Sequence, residues 1–153
     1  MTQEEKDLLL KDIFGRIPYG VKCSYLDIEF NKTTHGYLES FEYDDDKDII
    51  FVIDGIGIYS EHVKPYLFPL SSMNEEQMEE LEELCNMYTP DDDYHPYAYM
   101  GIEVLYKHVL DDGYKFSSAF NTDVIDWFNK NHFDYRGLIE KELAIDATNK
   151  NIY

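Results

Sequence analysis

Ile49-Ile50-Phe51-Val52-Ile53-Asp54-Gly55-Ile56-Gly57-Ile58-Tyr59 reads as two strands joined by a tight turn. The first five residues form a near-continuous β-branched and aromatic run, which predicts a central strand covered on both faces. Asp54-Gly55 is a strong hairpin signal, and Ile56 to Tyr59 is the return strand. Just upstream, Asp44-Asp45-Asp46-Lys47-Asp48 is too polar and too rich in turn formers to be buried. Tyr37 to Tyr43 predicts another strand, with Tyr37, Phe41 and Tyr43 on one face, and Asn31 to Gly36 reads as the turn before it. Val21, Cys23 and Tyr25 alternate on one face; Leu26, Ile28 and Phe30 continue with the phase flipped, and a bulge near Tyr25 reconciles the two halves. Four consecutive short strands make an antiparallel meander. Its natural cover is a helix predicted over residues 3–16. There Thr2-Gln3-Glu4-Glu5 has the form of a capping box, Leu9, Leu10, Ile13, Phe14 and Ile17 recur at helical spacing, and Pro18 and Gly20 end the pattern.

Downstream of the hairpin, Lys64-Pro65-Tyr66-Leu67-Phe68-Pro69-Leu70 carries two prolines, which predicts an extended connector rather than a helix or a central strand. Tyr66, Leu67 and Phe68 then wrap one edge of the sheet. Ser72-Met73-Asn74-Glu75 reads as a second capping box, followed by an apolar stripe of Met78, Leu81, Leu84, Cys85 and Tyr88. A loop from Thr89 to Pro96 carries Asp91-Asp92-Asp93, and a third helix is expected from Tyr99 to Leu110. Thr122 can cap a fourth, with Val124, Trp127, Phe128 and Asn131 on adjoining faces, and the tail from Phe133 to Ile145 can hold a short helix. The expected architecture is α+β: an antiparallel meander of about four strands covered by helices, with a mostly helical C-terminal half. One domain over 1–153 is expected, divided into a helix-plus-meander part (1–70) and a helical part (71–153).

The chain has 153 residues and a formal charge of 13 − 32 = −19. That excess argues against direct binding of nucleic acid or of an anionic membrane, since both depend on Lys and Arg. With 44% hydrophobic residues the chain lies well above a disordered acidic sequence, despite its charge. The acidic N-terminus lacks the basic and apolar segments of a secretory signal, and no apolar run approaches a bilayer span. Cys23 and Cys85, 85 − 23 = 62 residues apart, match no zinc or redox spacing. A cytoplasmic protein is expected.

Candidate chemistry is sparse. Asp44 to Asp48 lack the alternating ligands of a calcium loop, and contiguous Asp91, Asp92 and Asp93 beside His95 point in different directions. His35, His62, His95, His108 and His132 form no zinc-hydrolase pair, and Glu103 with Lys107 reads as a surface pair. His132 and Asp134 could orient one another as an acid–base pair, but a helix-ending His followed by a docked tail is the plainer reading. Ser71-Ser72 lack a nucleophile elbow and are explained by capping; Gly55 and Gly57 belong to a hairpin; Cys23 and Cys85 sit on apolar faces. No catalytic, cofactor or metal residue is assigned.

Two longer stretches resemble a family of small uncharacterised proteins common in gut Bacteroidales genomes and in their phages and mobile elements. They are Lys64 to Met73, followed by a Glu-rich helix, and Asp126-Trp127-Phe128-Asn129-Lys130-Asn131-His132-Phe133-Asp134-Tyr135-Arg136-Gly137-Leu138-Ile139; together they cover about 24 of 153 residues. Ile17-Pro18-Tyr19-Gly20 is similar as well. The chain departs from that family in having Phe68 where a basic residue is usual, in its segment from Asn86 to Lys115 and in its last ten residues. The resemblance implies a bacterial host and a mobile-element setting, and no chemistry.

What stands out is 14 tyrosines, one tryptophan and nine phenylalanines in so acidic a chain. Tyr and Trp supply large contact area at low entropy cost. The leading expectation is therefore a non-enzymatic accessory protein that binds another protein, a basic one being among the candidates, with Tyr66, Phe68, Trp127, Tyr135 and Arg136 as candidate contacts. Arg136 is also expected to anchor the tail on Asp134 or Asp126. One alternative is an acidic nucleic-acid mimic that captures a host DNA- or RNA-binding protein through Asp44, Asp45, Asp46, Glu76, Glu79, Glu80, Glu83, Asp91, Asp92 and Asp93. Another is a small hydrolase, metal-dependent or metal-free.

Overall fold

Thr2 starts the first helix: its Oγ1 accepts the Glu5 amide at 3.2 Å, and Glu5 Oε2 accepts the Thr2 amide at 2.7 Å. Two backbone donors are thereby satisfied at the N-terminus of α1 (Gln3–Arg16). The computed structural model describes residues 1–27, 30–46, 48–86 and 118–153. A 3-10 turn, Ile17–Tyr19, and Gly20 at φ 67° end α1 and release the chain into the sheet. Its strands are β1 (Lys22–Asp27), β2 (Lys32–Tyr43), β3 (Ile49–Ile53), β4 (Ile56–Tyr59), β5 (Val63–Leu67) and β6 (Ile145–Asp146), in the spatial order β4-β3-β2-β1-β5-β6. β1 to β4 form the expected antiparallel meander, β5 returns antiparallel to β1, and β6 lies parallel to β5. Among the described residues two further helices, α2 (Glu75–Asn86) and α3 (Ser118–Lys130), follow. The fold is α+β, a mostly antiparallel meander covered by helices, with the C-terminal half mostly helical.

Leu9, Leu10 and Ile13 of α1 pack on Val21, Cys23, Leu38, Phe51 and Ile53 of the sheet, and Leu138, Leu143 and Ala144 of the tail close the same core. Fully burying one such side chain as large as Phe51 contributes about 1.5–3 kcal/mol. A second cluster joins Leu81 of α2 and Val124 and Phe128 of α3 to Phe133 and Tyr135. Phe68 ties the tail to the end of β5: its amide donates to His132 O at 2.9 Å, and its carbonyl accepts the Asp134 amide at 2.8 Å.

Several boundaries differ from the sequence expectation, each for a local reason. The β1–β2 register runs unbroken from Lys22↔Tyr37 to Asp27↔Lys32, so β1 carries no bulge at Tyr25 and the turn falls before Lys32 rather than at 31–36. The irregularity lies instead between Leu38 and Ser40 of β2. There Glu39 is the extra residue, which puts Phe41 and Tyr43 on the face of Phe51 and leaves Tyr37 on the other. β3 is next to the edge, not central; Ile50 and Val52 are only half-buried, and Gly57 opposite Val52 has no side chain to cover it.

Val63–Leu67 is an interior strand despite Pro65, because the ladder to β6 begins only at Tyr66 and asks nothing of the proline nitrogen. Asn74 and Gln77, not Ser72 and Glu75, make the second capping box, with the Gln77 amide donating to Asn74 Oδ1 at 2.8 Å and the Asn74 amide to Gln77 Oε1 at 3.0 Å. Ser72 Oγ donates to Pro69 O at 2.7 Å. α3 begins at Ser118, so Thr122 lies inside it rather than capping it. The tail forms turns instead of a helix, with His132, Gly137 and Glu142 all at positive φ. The helix expected at Tyr99 to Leu110, the Asp91 to Asp93 loop, His95, His108, Glu103, Lys107 and Tyr88 lie outside the described residues.

Candidate functional site

Among the described residues, the free edge of the sheet and the outer end of β2 carry several exposed apolar side chains. Asp54 at φ 47° and Gly55 at φ 78° form a two-residue turn with both central φ positive. In that geometry Ile53 and Ile56 exchange the closing hydrogen bonds, so alternation leaves the amides of Gly57 and Tyr59 and the Gly57 carbonyl pointing away from β3, while the Tyr59 carbonyl opens the 3-10 turn Ser60–His62. β4 itself holds no Lys, Arg or Pro, the residues that usually blunt an edge against pairing. Ile56 is 48% and Tyr59 45% exposed, and Tyr43 and Phe41 on the outer end of β2 are 60% and 40% exposed. Phe41 is held from beneath by Phe14 of α1, ring centroids 4.4 Å apart, and Tyr43 meets Phe41 edge-on at 6.0 Å.

Carboxylates stand at both ends of this edge. At the Tyr59 end, Asp44 Oδ1 accepts the amides of Asp46 and Asp48 at 3.0 and 2.8 Å, and its Oδ2 accepts the Tyr59 hydroxyl at 3.3 Å. The Asp44 charge raises the Tyr59 phenol above its ordinary range. Asp45 and Asp46 project into solvent, while Asp48 is engaged by Lys6 Nζ at 3.1 Å. At the other end, Asp54 Oδ1 accepts the Tyr37 amide at 3.1 Å and Glu39 Oε2 accepts the Gly55 amide at 3.1 Å. The Asp44 contacts to the Asp46 and Asp48 amides close the turn between β2 and β3, and Glu39 holds the hairpin turn at Gly55, so carboxylates stand at both ends of the edge.

The interior holds a different constellation, at the meeting of α1, α3 and the tail. Asp12 and Arg16, four apart on α1 and both fully buried, make a two-pronged contact: Nε to Oδ2 at 2.6 Å and Nη2 to Oδ1 at 2.9 Å. Arg16 Nη2 also donates to Phe133 O at 2.7 Å. Arg136 Nε stands 3.4 Å from Asp12 Oδ1, an electrostatic contact without hydrogen-bond geometry. The Tyr135 ring is flanked by both guanidiniums, 5.3 and 4.6 Å from its centroid; its hydroxyl accepts from Arg136 Nη2 and donates to Asn129 Oδ1, both at 3.0 Å. Burial is the largest influence on the Tyr135 phenol and raises it. The only two arginines of the chain thus converge on one carboxylate and fasten the tail to α1.

His132 lies beside this cluster, its ring stacked on Tyr153 at 4.0 Å. Burial, then the Arg16 charge, push its imidazole down to about 4. It does not pair with Asp134, whose two oxygens accept the Leu138 and Ile139 amides at 2.9 and 2.8 Å. The alternative of an acid–base pair is therefore not formed, and the plainer reading holds: His132 is a packed ring and Asp134 a turn-closing carboxylate. Arg136, expected on Asp134 or Asp126, engages Asp12. Cys23 is buried and its thiol is pushed up to about 12 by desolvation.

Of the candidate partner contacts, Tyr66 and Tyr135 are only 5% and 1% exposed. Tyr66 is bonded through its hydroxyl to His35 Nδ1 at 2.9 Å. Phe68 and Trp127 are half-buried, and Trp127 stacks on Phe133 at 5.6 Å while its Nε1 donates to Glu80 at 3.2 Å. Tyr66 and Tyr135 are therefore internal, and Phe68 and Trp127 pack on Phe133 instead of forming an outward strip. Glu76, Glu79, Glu80 and Glu83 are exposed on α2. The acidic turn is tied to Lys6 near the start of α1, whereas α2 packs on α3, which meets α1 near Gly15. About 14 Å of helix separates those two positions on α1. Sequence reasoning missed the free edge and the Asp12–Arg16 pair. The signals were present, in a strand without guarding residues and in an i, i+4 ion pair set beside Ile13 on an otherwise apolar stripe.

Beside β6 an open groove of about 450 Å³ is lined by Lys64 and Lys150 on one hand and Glu142 and Asp146 on the other. Among the described residues no group of three or more metal-ligating side chains comes together, and no helix is long and apolar enough to cross a membrane. Comparison of the chain with protein-family models, curated proteins and solved structures finds no match.

Proposed function

We propose that the protein is a non-enzymatic accessory protein that binds a basic protein partner through the surface formed by β4 and the outer end of β2. The observation that carries this reading is the exposure, between 45 and 60%, of Tyr43 and Ile56 on one face of the sheet edge and of Tyr59 on the other, with Asp45 and Asp46 outward-facing at the Tyr59 end. Aromatic area with a charged rim is the composition of a binding surface, and opposite charge on the partner speeds encounter. The likeness of Lys64 to Met73 and of Asp126 to Ile139 to proteins of bacterial mobile elements supports a setting in the host cytoplasm, as an accessory factor of a phage or mobile element. The test is affinity capture from a bacterial lysate with the unaltered chain and with Tyr43→Ser/Tyr59→Ser, at low and high salt. A discrete basic protein held at low salt, released by salt and lost in the double variant is the expected result. Capture that is indifferent to the double variant, or no capture at low salt, contradicts it.

The exposed glutamates of α2 support a second reading, an acidic mimic of nucleic acid. Glu75, Glu76, Glu79, Glu82 and Glu83 make no ion pair among the described residues, and Glu80 is engaged by Trp127. On that reading duplex DNA displaces the captured protein; failure of DNA to compete removes it.

A further inference from the structure

We infer that the free edge of β4 is a strand-addition site for an extended segment of a basic protein, an inference that rests on the protein-binding reading and names its mode. Three independent features converge on Ile56–Tyr59. The hairpin register leaves the Gly57 amide and carbonyl and the Tyr59 amide directed away from β3, and in the sheet order of the described residues no strand lies beyond β4. The strand has neither charge nor proline, and alternation puts the exposed Ile56 on one face and the exposed Tyr59 on the other, so an added strand finds an apolar neighbour on each side.

Charge selects the occupant. Asp45 and Asp46 project at the Tyr59 end and Asp54 and Glu39 stand at the Ile56 end. A strand flanked by Lys or Arg at both ends is matched, and an acidic strand is repelled. The same carboxylates disfavour a second copy of this chain, which would bring two sets of like charges together at one edge.

The probes are a synthetic peptide of alternating Val and Thr flanked by lysines, and its twin flanked by glutamates, each titrated into the whole chain with amide hydrogen exchange as the readout. The lysine peptide is expected to bind at least about tenfold more tightly than its twin and to lose that margin as salt is raised. Binding is expected to protect the Gly57 and Tyr59 amides, while the inward-bonded Ile56 and Ile58 amides are already protected in the free chain. Gly57→Pro removes one outward donor without touching the β3 ladder, and should weaken binding about fivefold or more. A Cβ at this position would lie 3.1 Å from Ile50 Cγ2, so intact protection at Ile58 is the check that the hairpin persists. Where that check fails, Asp45→Lys/Asp46→Lys on the exposed turn decides, with weakened binding expected. Equal affinity for the two peptides, no binding, or binding without protection of Gly57 and Tyr59 overturns strand addition. So does lysate capture that survives Gly57→Pro, which would leave the wider protein-binding reading standing; failure of the unaltered chain to capture anything is the failure of that reading instead.

Discussion

His132 holds its backbone at φ 57° and its ring flat against Tyr153, in a site where a proton is unwelcome because water is excluded and Arg16 is near. Its folded value of about 4 lies below the ordinary 6.5, so the unfolded chain binds the proton more readily between those limits. Stability from this group is therefore fully present above pH 6.5 and is lost as pH falls toward 4. The displacement corresponds to about 3 kcal/mol. His132→Asn, which tolerates the left-handed backbone, should flatten the fall in urea midpoint between pH 7 and pH 4.5 relative to the unaltered chain. An unchanged pH profile in the variant would assign that dependence elsewhere. Asp12 makes a harsher test, since Asp12→Ala leaves two guanidiniums facing each other without a carboxylate. Its expected cost is about 3–5 kcal/mol in denaturant unfolding, against well under 1 kcal/mol for the exposed Asp45→Ala.

The joints between elements depend on small residues that sequence patterns read unevenly. Gly55 was legible, because a turn of two positive φ angles demands it; Gly55→Ala should destabilise by about 1–2 kcal/mol. Gly15 was not, since nothing in a helical run announces that α3 will approach there. A Cβ on Gly15 would lie 2.9 Å from Asn129 Nδ2, and Asn129 is already fixed by the Tyr135 hydroxyl. Gly15→Ala is accordingly expected to cost about 1–3 kcal/mol by overpacking despite its better helix propensity, and a neutral or stabilising result would contradict the α1–α3 contact.

The same division explains the rest of the fold. α1, the Asp54-Gly55 hairpin and the four-strand meander rest on local period and turn chemistry, and were readable. The β2 bulge, the interior placement of Pro65 and the parallel pairing of β6 depend on what lies alongside, which one strand's alternation does not report. For the candidate site the aromatic richness was visible, but not which tyrosines face out. Tyr135 and Tyr66 are drawn inward by Arg16, Arg136 and His35, whereas Tyr43 and Tyr59 stay exposed among the described residues.

At the scale of the molecule, a charge of −19 repels itself and opposes the compact state. The unfolding midpoint in urea should rise as NaCl is added up to about 0.5 M, where screening over a few ångströms is complete. The same salt should release a basic partner, so the two effects run in opposite directions. The most direct measurement is amide hydrogen exchange of the whole chain, free and in complex with the protein it captures at low salt. Protection gained across residues 56–59 and the outer end of β2, with α2 unchanged, is the result expected of binding at the free sheet edge. Protection gained on α2 while β4 exchanges as before would contradict it.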